Sequence, residues 1–128
     1  MYTVPGTMPD TWDLDRTSEG VLVRGEIDLA TADSFEERAS EAVMEAANAS
    51  VLIDLSGVTF MDSAGIRALV RVLELPSDRS LIVQPSPQVF TLLHLLAFTD
   101  GVLPKVEILE PPFLDVLLPP IGPISSPW

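Results

Sequence analysis

Val51–Leu55, with the sequence VLIDL, is the segment that decides the fold. It is a short and nearly continuous apolar run, which is typical of a strand buried on both faces at the centre of a sheet. Residues 56–61 (SGVTFM) are predicted to form a loop, and residues 62–65 (DSAG) then open a helix. The apolar residues of this helix recur at helical spacing and are expected to face the core: Ile66, Leu69, Val70 and Leu73.

A hairpin and a helix are predicted before this segment. Trp12–Thr17 and Val21–Gly25 are interpreted as two strands, joined by a turn at residues 18–20 that contains a glycine. Thr31 is placed to cap a helix whose first turns are acidic, as the helix dipole favours. This helix is expected to end near Asn48. Its core-facing residues are predicted to be Ala32, Phe35, Ala39, Val43 and Ala46.

The alternation of strands and helices continues towards the C-terminus. Leu81–Val83 is predicted to be another buried strand, and Pro87 occupies a favoured first position of a further helix. Val106 and Ile108 alternate with polar residues, which indicates a half-exposed edge strand. Strands joined by helices in this order predict an α/β fold.

Length and proline content divide the chain into three parts. Its 128 residues suit one domain, which we assign to residues 12–110, after a flexible N-terminal segment at residues 1–11. Six of the 12 prolines lie at or after Pro111, so residues 111–128 form a Pro-rich apolar C-terminal tail. Two alternatives stay open for this tail: it packs over its own domain, or it docks onto a partner or a second copy.

Charge and composition exclude several classes of function. The formal net charge of −12 disfavours binding to nucleic acid or to anionic membrane surfaces. The chain has no cysteine, which excludes disulfides, thiolate nucleophiles and Cys-based zinc sites. Residues 1–11 lack the pattern of a secretory leader, and no apolar run has the length of a membrane span. We therefore expect a soluble cytoplasmic protein.

Three carboxylates follow or end predicted strands, at Asp28, Asp54 and Asp62. One interpretation is a metal or acid–base cluster, because open α/β sheets gather ligand sites at these strand ends. The other is that the three side chains hold turns and helix caps by hydrogen bonds. His94, the single histidine, is expected to be a solvated surface residue. Glycine-rich phosphate loops, nucleophile elbows and HExxH motifs are absent, so we expect neither enzymatic activity nor a bound cofactor or metal.

Ser63 stands out because it lies beside Asp62 at the start of a predicted helix. Serine is a common N-cap, and capping is its simplest role. The alternative is a regulatory phosphorylation site.

Three segments resemble one protein family. Residues 51–70 (VLIDLSGVTFMDSAGIRALV) are similar to the phosphorylation-site region of anti-sigma factor antagonists, the bacterial STAS domains. Residues 21–39 (VLVRGEIDLATADSFEERA) and 80–102 (SLIVQPSPQVFTLLHLLAFTDGV) resemble other parts of the same domain, in the family's order and spacing. The resemblance covers Trp12 to Glu110. It implies a mixed sheet of four to five strands with helices packed against it.

The resemblance also implies roles for individual residues. Ser63 would be the residue that a partner kinase phosphorylates, with Asp62 as its acidic neighbour and Asp28 as the turn aspartate beside it. Gly65 matches the small residue of the family's Asp-Ser-x-Gly motif. Ala64 departs from the frequent Ser or Thr at its position, and Arg67 replaces a small residue where it could pair with a phosphate on Ser63. The residues expected in or beside the partner contact are Asp28, Asp62, Ser63, Ile66 and Arg67.

The function that the resemblance implies is a protein-binding switch. The unphosphorylated chain would bind an anti-sigma factor of the serine-kinase type and free a sigma factor, and phosphorylation of Ser63 would end this binding. ATP and magnesium would belong to the kinase, and a PP2C-type phosphatase would restore the serine. Homodimerisation stays open. The main alternative is a non-switching STAS scaffold in a transporter or sensor complex, and a small hydrolase using the three aspartates is a third.

Overall fold

The computed structural model describes residues 11–75, 78–96 and 103–111. Five strands and three helices lie within these ranges, and the predicted α/β fold with a mixed sheet is confirmed. In chain order they are β1 (Trp12–Arg16), β2 (Gly20–Ile27), α1 (Ala32–Glu45), β3 (Ser50–Met61), α2 (Ser63–Leu73), β4 (Ser80–Pro85), α3 (Pro87–Leu95) and β5 (Val106–Ile108). Apart from Thr11 and Pro111, the predicted N-terminal segment and C-terminal tail lie outside the described residues.

The strands are arranged in the order β1-β2-β3-β4-β5. β1 is antiparallel to β2, and the other neighbours are parallel. Each parallel connection advances one strand in the same direction, so right-handed crossovers place α1, α2 and α3 on the same face of the sheet. The burial pattern agrees with this arrangement. Val21, Ile53 and Val83 are paired across three strands and are buried, whereas Leu22, Leu52 and Ile82 on the other face remain partly exposed.

The prediction that the central strand is buried on both faces is therefore wrong. β3 does lie at the centre of the sheet, but only one of its faces packs against helices. The apolar run of VLIDL predicts burial on both faces, yet Leu52 and Asp54 point away from the helices and are only half-buried. We call this side the open face of the sheet. On it, Arg24 forms ion pairs with both Asp13 and Asp15, and these hydrogen bonds raise the pKa of the Arg24 guanidinium.

The core lies between the sheet and the helix layer. Phe35 of α1, Leu69 of α2 and Leu93 of α3 are fully buried. The ring of Trp12 meets that of Phe35 edge-on, with centroids 6.2 Å apart. The guanidinium of Arg38 lies over the Trp12 ring, 5.0 Å from its centre, and donates a hydrogen bond to the carbonyl of Leu14. This packing fixes α1 over β1 and β2.

The predicted loop at residues 56–61 is instead the second half of β3. Val58 pairs with Gly25, and Met61 pairs with Ile27, so the strand continues to the edge of the sheet where α2 begins. Gly57, within this segment, allows close packing between neighbouring strands. A Cβ at this position would lie 2.8 Å from Cγ of Arg24 on the neighbouring strand. A glycine inside a strand often marks such a close approach.

The helix boundaries lie close to the predicted ones, with differences in capping and at the end of α1. Thr31 is the N-cap residue of α1, but its side chain makes no capping hydrogen bond within the described part of the chain. α1 ends at Glu45, three residues before the predicted Asn48. α3 begins at Pro87 as predicted, and Ser86 caps it by accepting a hydrogen bond from the backbone N–H of Val89. His94 is exposed, as expected.

Candidate functional site

The candidate site forms where two neighbouring parallel strands end. Ile27 and Met61, the last residues of β2 and β3, are paired across the sheet. Asp28 and Asp62 follow them directly. The sheet thus brings together two of the aspartates that the sequence singled out, at the carboxyl ends of adjacent strands where α/β folds commonly place their sites.

Asp62 joins the helix α2 to the loop that follows β2. One carboxylate oxygen, Oδ1, accepts a hydrogen bond from the backbone N–H of Gly65 at 3.0 Å and so caps α2. The other oxygen, Oδ2, accepts one from the backbone N–H of Leu29 at 3.1 Å. The backbone N–H of Asp62 in turn donates to the carbonyl of Ile27 at 3.3 Å. This residue therefore holds two segments of the site in a fixed relation.

Asp28 shapes the loop at residues 28–31 from within. Its Oδ1 accepts hydrogen bonds from the backbone N–H groups of Ala30, at 3.0 Å, and Thr31, at 3.2 Å. The hydroxyl of Thr31 accepts a hydrogen bond from the backbone N–H of Asp28 at 2.9 Å. Such side-chain to backbone bonds are the turn-forming role that aspartate and threonine commonly play. The loop is held along its length by these bonds and by Asp62.

Gly65 allows α2 to approach the end of β2. A Cβ on this residue would lie 2.5 Å from the carbonyl oxygen of Ile27 and 2.7 Å from Cγ of Met61. Both distances are far below van der Waals contact, so a larger residue would push the helix start away from the strand ends. The absence of a side chain at Gly65 therefore allows the start of α2 to pack directly against the ends of β2 and β3.

Ser63 is the first residue of α2 and does not cap it. The interpretation of Ser63 as the N-cap is therefore wrong, because Asp62 fills that position. The side chain of Ser63 is exposed, and its hydroxyl makes no hydrogen bond with any residue in the described ranges. The hydroxyl of an exposed serine thus lies at the helix start and makes no hydrogen bond that stabilises this part of the chain.

Arg67 and Ile66, one turn further along α2, differ sharply in exposure. Arg67 is exposed and forms no ion pair with the residues that the structure describes. Arg71, on the same side of the helix, is bonded to Glu36 of α1 at 3.0 Å. Ile66 is only 3% exposed and belongs to the core. Among the predicted contact residues, Ile66 therefore supports the site from beneath.

Asp54 lies apart from this cluster. It sits within β3 on the open face of the sheet, and Oδ1 accepts hydrogen bonds from the backbone N–H and the hydroxyl of Ser56. The expectation that Asp54 lies at the carboxyl end of a strand is wrong because β3 continues to Met61. Within the described ranges, no group of three or more potential ligands is arranged to hold a metal ion. The interpretation of these aspartates as turn and cap formers is confirmed for Asp28 and Asp62, whereas Asp54 bonds a neighbouring residue within a strand.

Leu29 is a site residue that the sequence did not single out. Its side chain is 79% exposed, the highest value for a large apolar residue in the described part of the chain. A leucine between two loop residues gives no periodic signal, so the only sequence cue is its place directly after Asp28.

No helix in the described ranges is long and apolar enough to span a membrane.

Comparisons with known proteins agree with this architecture. One curated relative, an anti-sigma F factor antagonist from Lysinibacillus sphaericus, is 30% identical over 76 residues, which cover 56% of this chain and 65% of the relative. This chain thus spans less than two thirds of that relative's length.

Two solved structures share the fold. The crystal structure of an anti-sigma factor antagonist from Mycobacterium paratuberculosis superposes with a TM-score of 0.59 and 27% identity, covering 79% of this chain and 89% of that one. The anti-sigma factor antagonist SpoIIAA, in its unphosphorylated form, gives a TM-score of 0.51 at 20% identity, covering 83% and 94%. The family model of the STAS domain matches residues 17–110, well over half of the chain. The chain therefore belongs to the STAS domain family.

Proposed function

We propose that this chain is an anti-sigma factor antagonist controlled by phosphorylation of Ser63. The unphosphorylated form binds an anti-sigma factor of the serine-kinase type and thereby frees a sigma factor. Phosphorylation ends this binding, and a PP2C-type phosphatase restores the serine. The two anti-sigma factor antagonists at 30% and 27% identity support the general function.

The observation that carries the switch is the state of the Ser63 hydroxyl. It is exposed, and Asp62 has taken over the capping role that would otherwise explain a serine at this position. A kinase can therefore reach the oxygen without unfolding α2 or breaking a hydrogen bond to the described residues. This removes the simplest structural reason for the serine and favours the switch over a non-switching scaffold.

A phosphate on Ser63 would act mainly on the partner contact. It adds about −1.5 to −2 charges near pH 7. The isolated chain tolerates this charge because it falls at the helix N-terminus, where the dipole favours anions, and because Arg67 lies one turn away. A partner that covers the same surface must desolvate the dianion beside the Asp62 carboxylate. That penalty is several kcal/mol, and about 1.4 kcal/mol already lowers affinity tenfold.

Asp28, Asp62 and Ser63 are contact or positioning residues and not catalysts, and the kinase supplies ATP and magnesium. The chain acts in the cytoplasm, where sigma factors work, without binding nucleic acid or membrane itself. Homodimerisation is open.

The test combines phosphorylation and binding. Purified full-length chain is incubated with ATP and each anti-sigma kinase of the source organism, and peptide mass spectrometry locates the phosphate. We expect modification of Ser63 alone. Titration calorimetry should then show tight binding for Ser63→Ala and binding weakened at least tenfold for Ser63→Asp. The matched control is Ser18→Asp, an exposed serine in the hairpin turn at the opposite end of β2.

Equal binding by Ser63→Asp, Ser63→Ala and the unmodified chain would overturn the switch. A stable partner that binds all three alike would instead identify the chain as a STAS scaffold.

A further inference from the structure

We infer that Leu29 is an apolar anchor of the partner contact and that Asp62 is the positioning residue that displays it. The inference rests on the proposed function, because it concerns the same site. It adds a residue outside the serine motif and specifies the partner's chemistry: an apolar pocket on the anti-sigma factor, rimmed by basic side chains.

Leu29 is unusually exposed for a large apolar residue. The Leu29 side chain is 79% exposed although it lies between the buried Ile27 and the buried Ala32. An exposed leucine forgoes the hydrophobic gain that its burial would give, and single exposed leucines are common on protein surfaces. Exposure alone therefore assigns no role to Leu29. The hydrogen bonds that hold the backbone around Leu29 are what indicate a role for this residue.

The backbone around Leu29 is fixed on both sides. Its own N–H donates to Asp62 Oδ2 at 3.1 Å, and the N–H groups of the next two residues donate to Asp28 Oδ1. With its backbone held by these bonds, the loop keeps the Leu29 side chain out in solvent. A side chain on a preorganised backbone loses less conformational entropy on binding than one on a mobile loop, so a partner can use it as an anchor.

Asp62 places the leucine beside the switch. The same carboxylate that bonds the Leu29 N–H belongs to the residue directly before Ser63. A partner surface that senses the Ser63 hydroxyl therefore also meets Leu29. Asp28 directly precedes the leucine and Asp62 bonds its backbone N–H, and the whole chain carries a net charge of −12. The complementary partner surface is thus an apolar pocket with Lys or Arg at its rim.

The structure offers a matched control for the test. Leu95, at the end of α3, is 73% exposed, close to the value for Leu29, but it belongs to a different element from the site. Leu29→Ser and Leu95→Ser therefore make the same chemical change at similar exposure. Leu29→Met keeps an apolar side chain and serves as the conservative variant.

The experiment measures the Kd of the full-length chain for the purified anti-sigma factor that binds the unmodified chain most tightly. We expect Leu29→Ser to raise this Kd about 10- to 100-fold, as for loss of a buried leucine contact. Leu95→Ser should change it less than threefold, and Leu29→Met should restore most of the affinity. Thermal unfolding should show all three variants folded, because both leucines are exposed.

The outcomes separate this inference from the proposed function. If Ser63→Asp loses binding while Leu29→Ser binds like the unmodified chain, the anchor is overturned and the switch stands. Equal losses for Leu29→Ser and Leu95→Ser also overturn the anchor. A chain that dimerises through Leu29, so that Leu29→Ser is monomeric in sedimentation, would show that a second copy is the occupant. If the unmodified chain binds no anti-sigma factor, both proposals fail.

Discussion

The carboxylate of Asp62 accepts a hydrogen bond from the backbone N–H of Leu29, a residue 33 positions earlier in the chain. Its second oxygen accepts one from Gly65 in the first turn of α2. One side chain thus satisfies a donor at a helix end and a donor in a separate loop. The start of α2 and the loop after β2 form one hydrogen-bonded unit, although they are far apart in sequence.

Removing this carboxylate breaks both hydrogen bonds and should therefore lower the stability of the fold. We expect Asp62→Ala to lower the free energy of unfolding by about 1 to 3 kcal/mol, since a helix cap is lost and the Leu29 donor loses its partner. Urea denaturation followed by circular dichroism measures the effect. The control is Asp33→Ala, an exposed carboxylate in the first turn of α1. A loss no greater than that of the control would contradict the bridging role.

Ser63→Ala should leave the stability of the fold almost unchanged. Because the hydroxyl is exposed and makes no bond to the described residues, we expect the free energy of unfolding to change by less than about 0.5 kcal/mol. The same urea titration applies. A destabilisation of about 1 kcal/mol or more would mean that Ser63 takes part in capping α2 in solution.

Gly65→Ala tests the close approach of helix and strand. In an ordinary helix interior this change stabilises by about 1 kcal/mol. Here the new Cβ would lie 2.5 Å from the Ile27 carbonyl oxygen, so we expect a net destabilisation of about 1 to 3 kcal/mol from overpacking. The sign of the change in the free energy of unfolding tests this prediction. A variant more stable than the unmodified chain would show that α2 can shift away from the strand ends without cost.

Gly57→Ala should be far milder than Gly65→Ala. Its Cβ would meet Cγ of Arg24 at 2.8 Å, an atom of an exposed and flexible side chain. Because Cγ lies close to the backbone, the arginine must change its χ1 rotamer to make room, and it then gives up exposed ion pairs that contribute little. We expect a change within about 1 kcal/mol, measured by thermal unfolding beside Gly65→Ala. Similar losses for the two variants would mean that β2 and β3 cannot adjust around Arg24.

Arg67 should interact with a phosphate on Ser63. An arginine one turn away favours the dianion and holds down the second pKa of the phosphoserine, which is about 6 in isolation. We expect Arg67→Gln to raise this pKa in the phosphorylated chain, as followed by phosphorus NMR titration. Arg71→Gln is the matched control, because Arg71 is already bonded to Glu36. Equal pKa values in all three phosphoproteins would exclude the pairing.

Much of the fold could be predicted because periodicity reports burial directly. The apolar runs at residues 51–55 and 81–83 and the helical stripe containing Phe35 correspond to elements of the structure. The second half of β3 was missed because Ser56 and Gly57 carry the composition of a loop. Their strand conformation depends on pairing with β2, which is a tertiary contact.

The site was predictable only in part. The sequence indicated Asp62, Ser63 and Gly65 as site residues because their types suit the start of a helix. It indicated Asp28 because aspartate is common in turns. Which of Asp62 and Ser63 caps the helix depends on backbone angles that composition does not specify. The hydrogen bond that holds the Leu29 backbone comes from a residue 33 positions away, and no local pattern encodes it.

The bond between Asp62 and Leu29 also gives the molecule a built-in spectroscopic label. An amide proton that donates to a carboxylate has a chemical shift that responds to the charge around that carboxylate. The Leu29 amide should therefore change its resonance when Ser63 is modified, although the two residues belong to different segments. Following this single peak in a nitrogen-15 spectrum would count modified and unmodified molecules in a mixture, without antibodies or a partner protein.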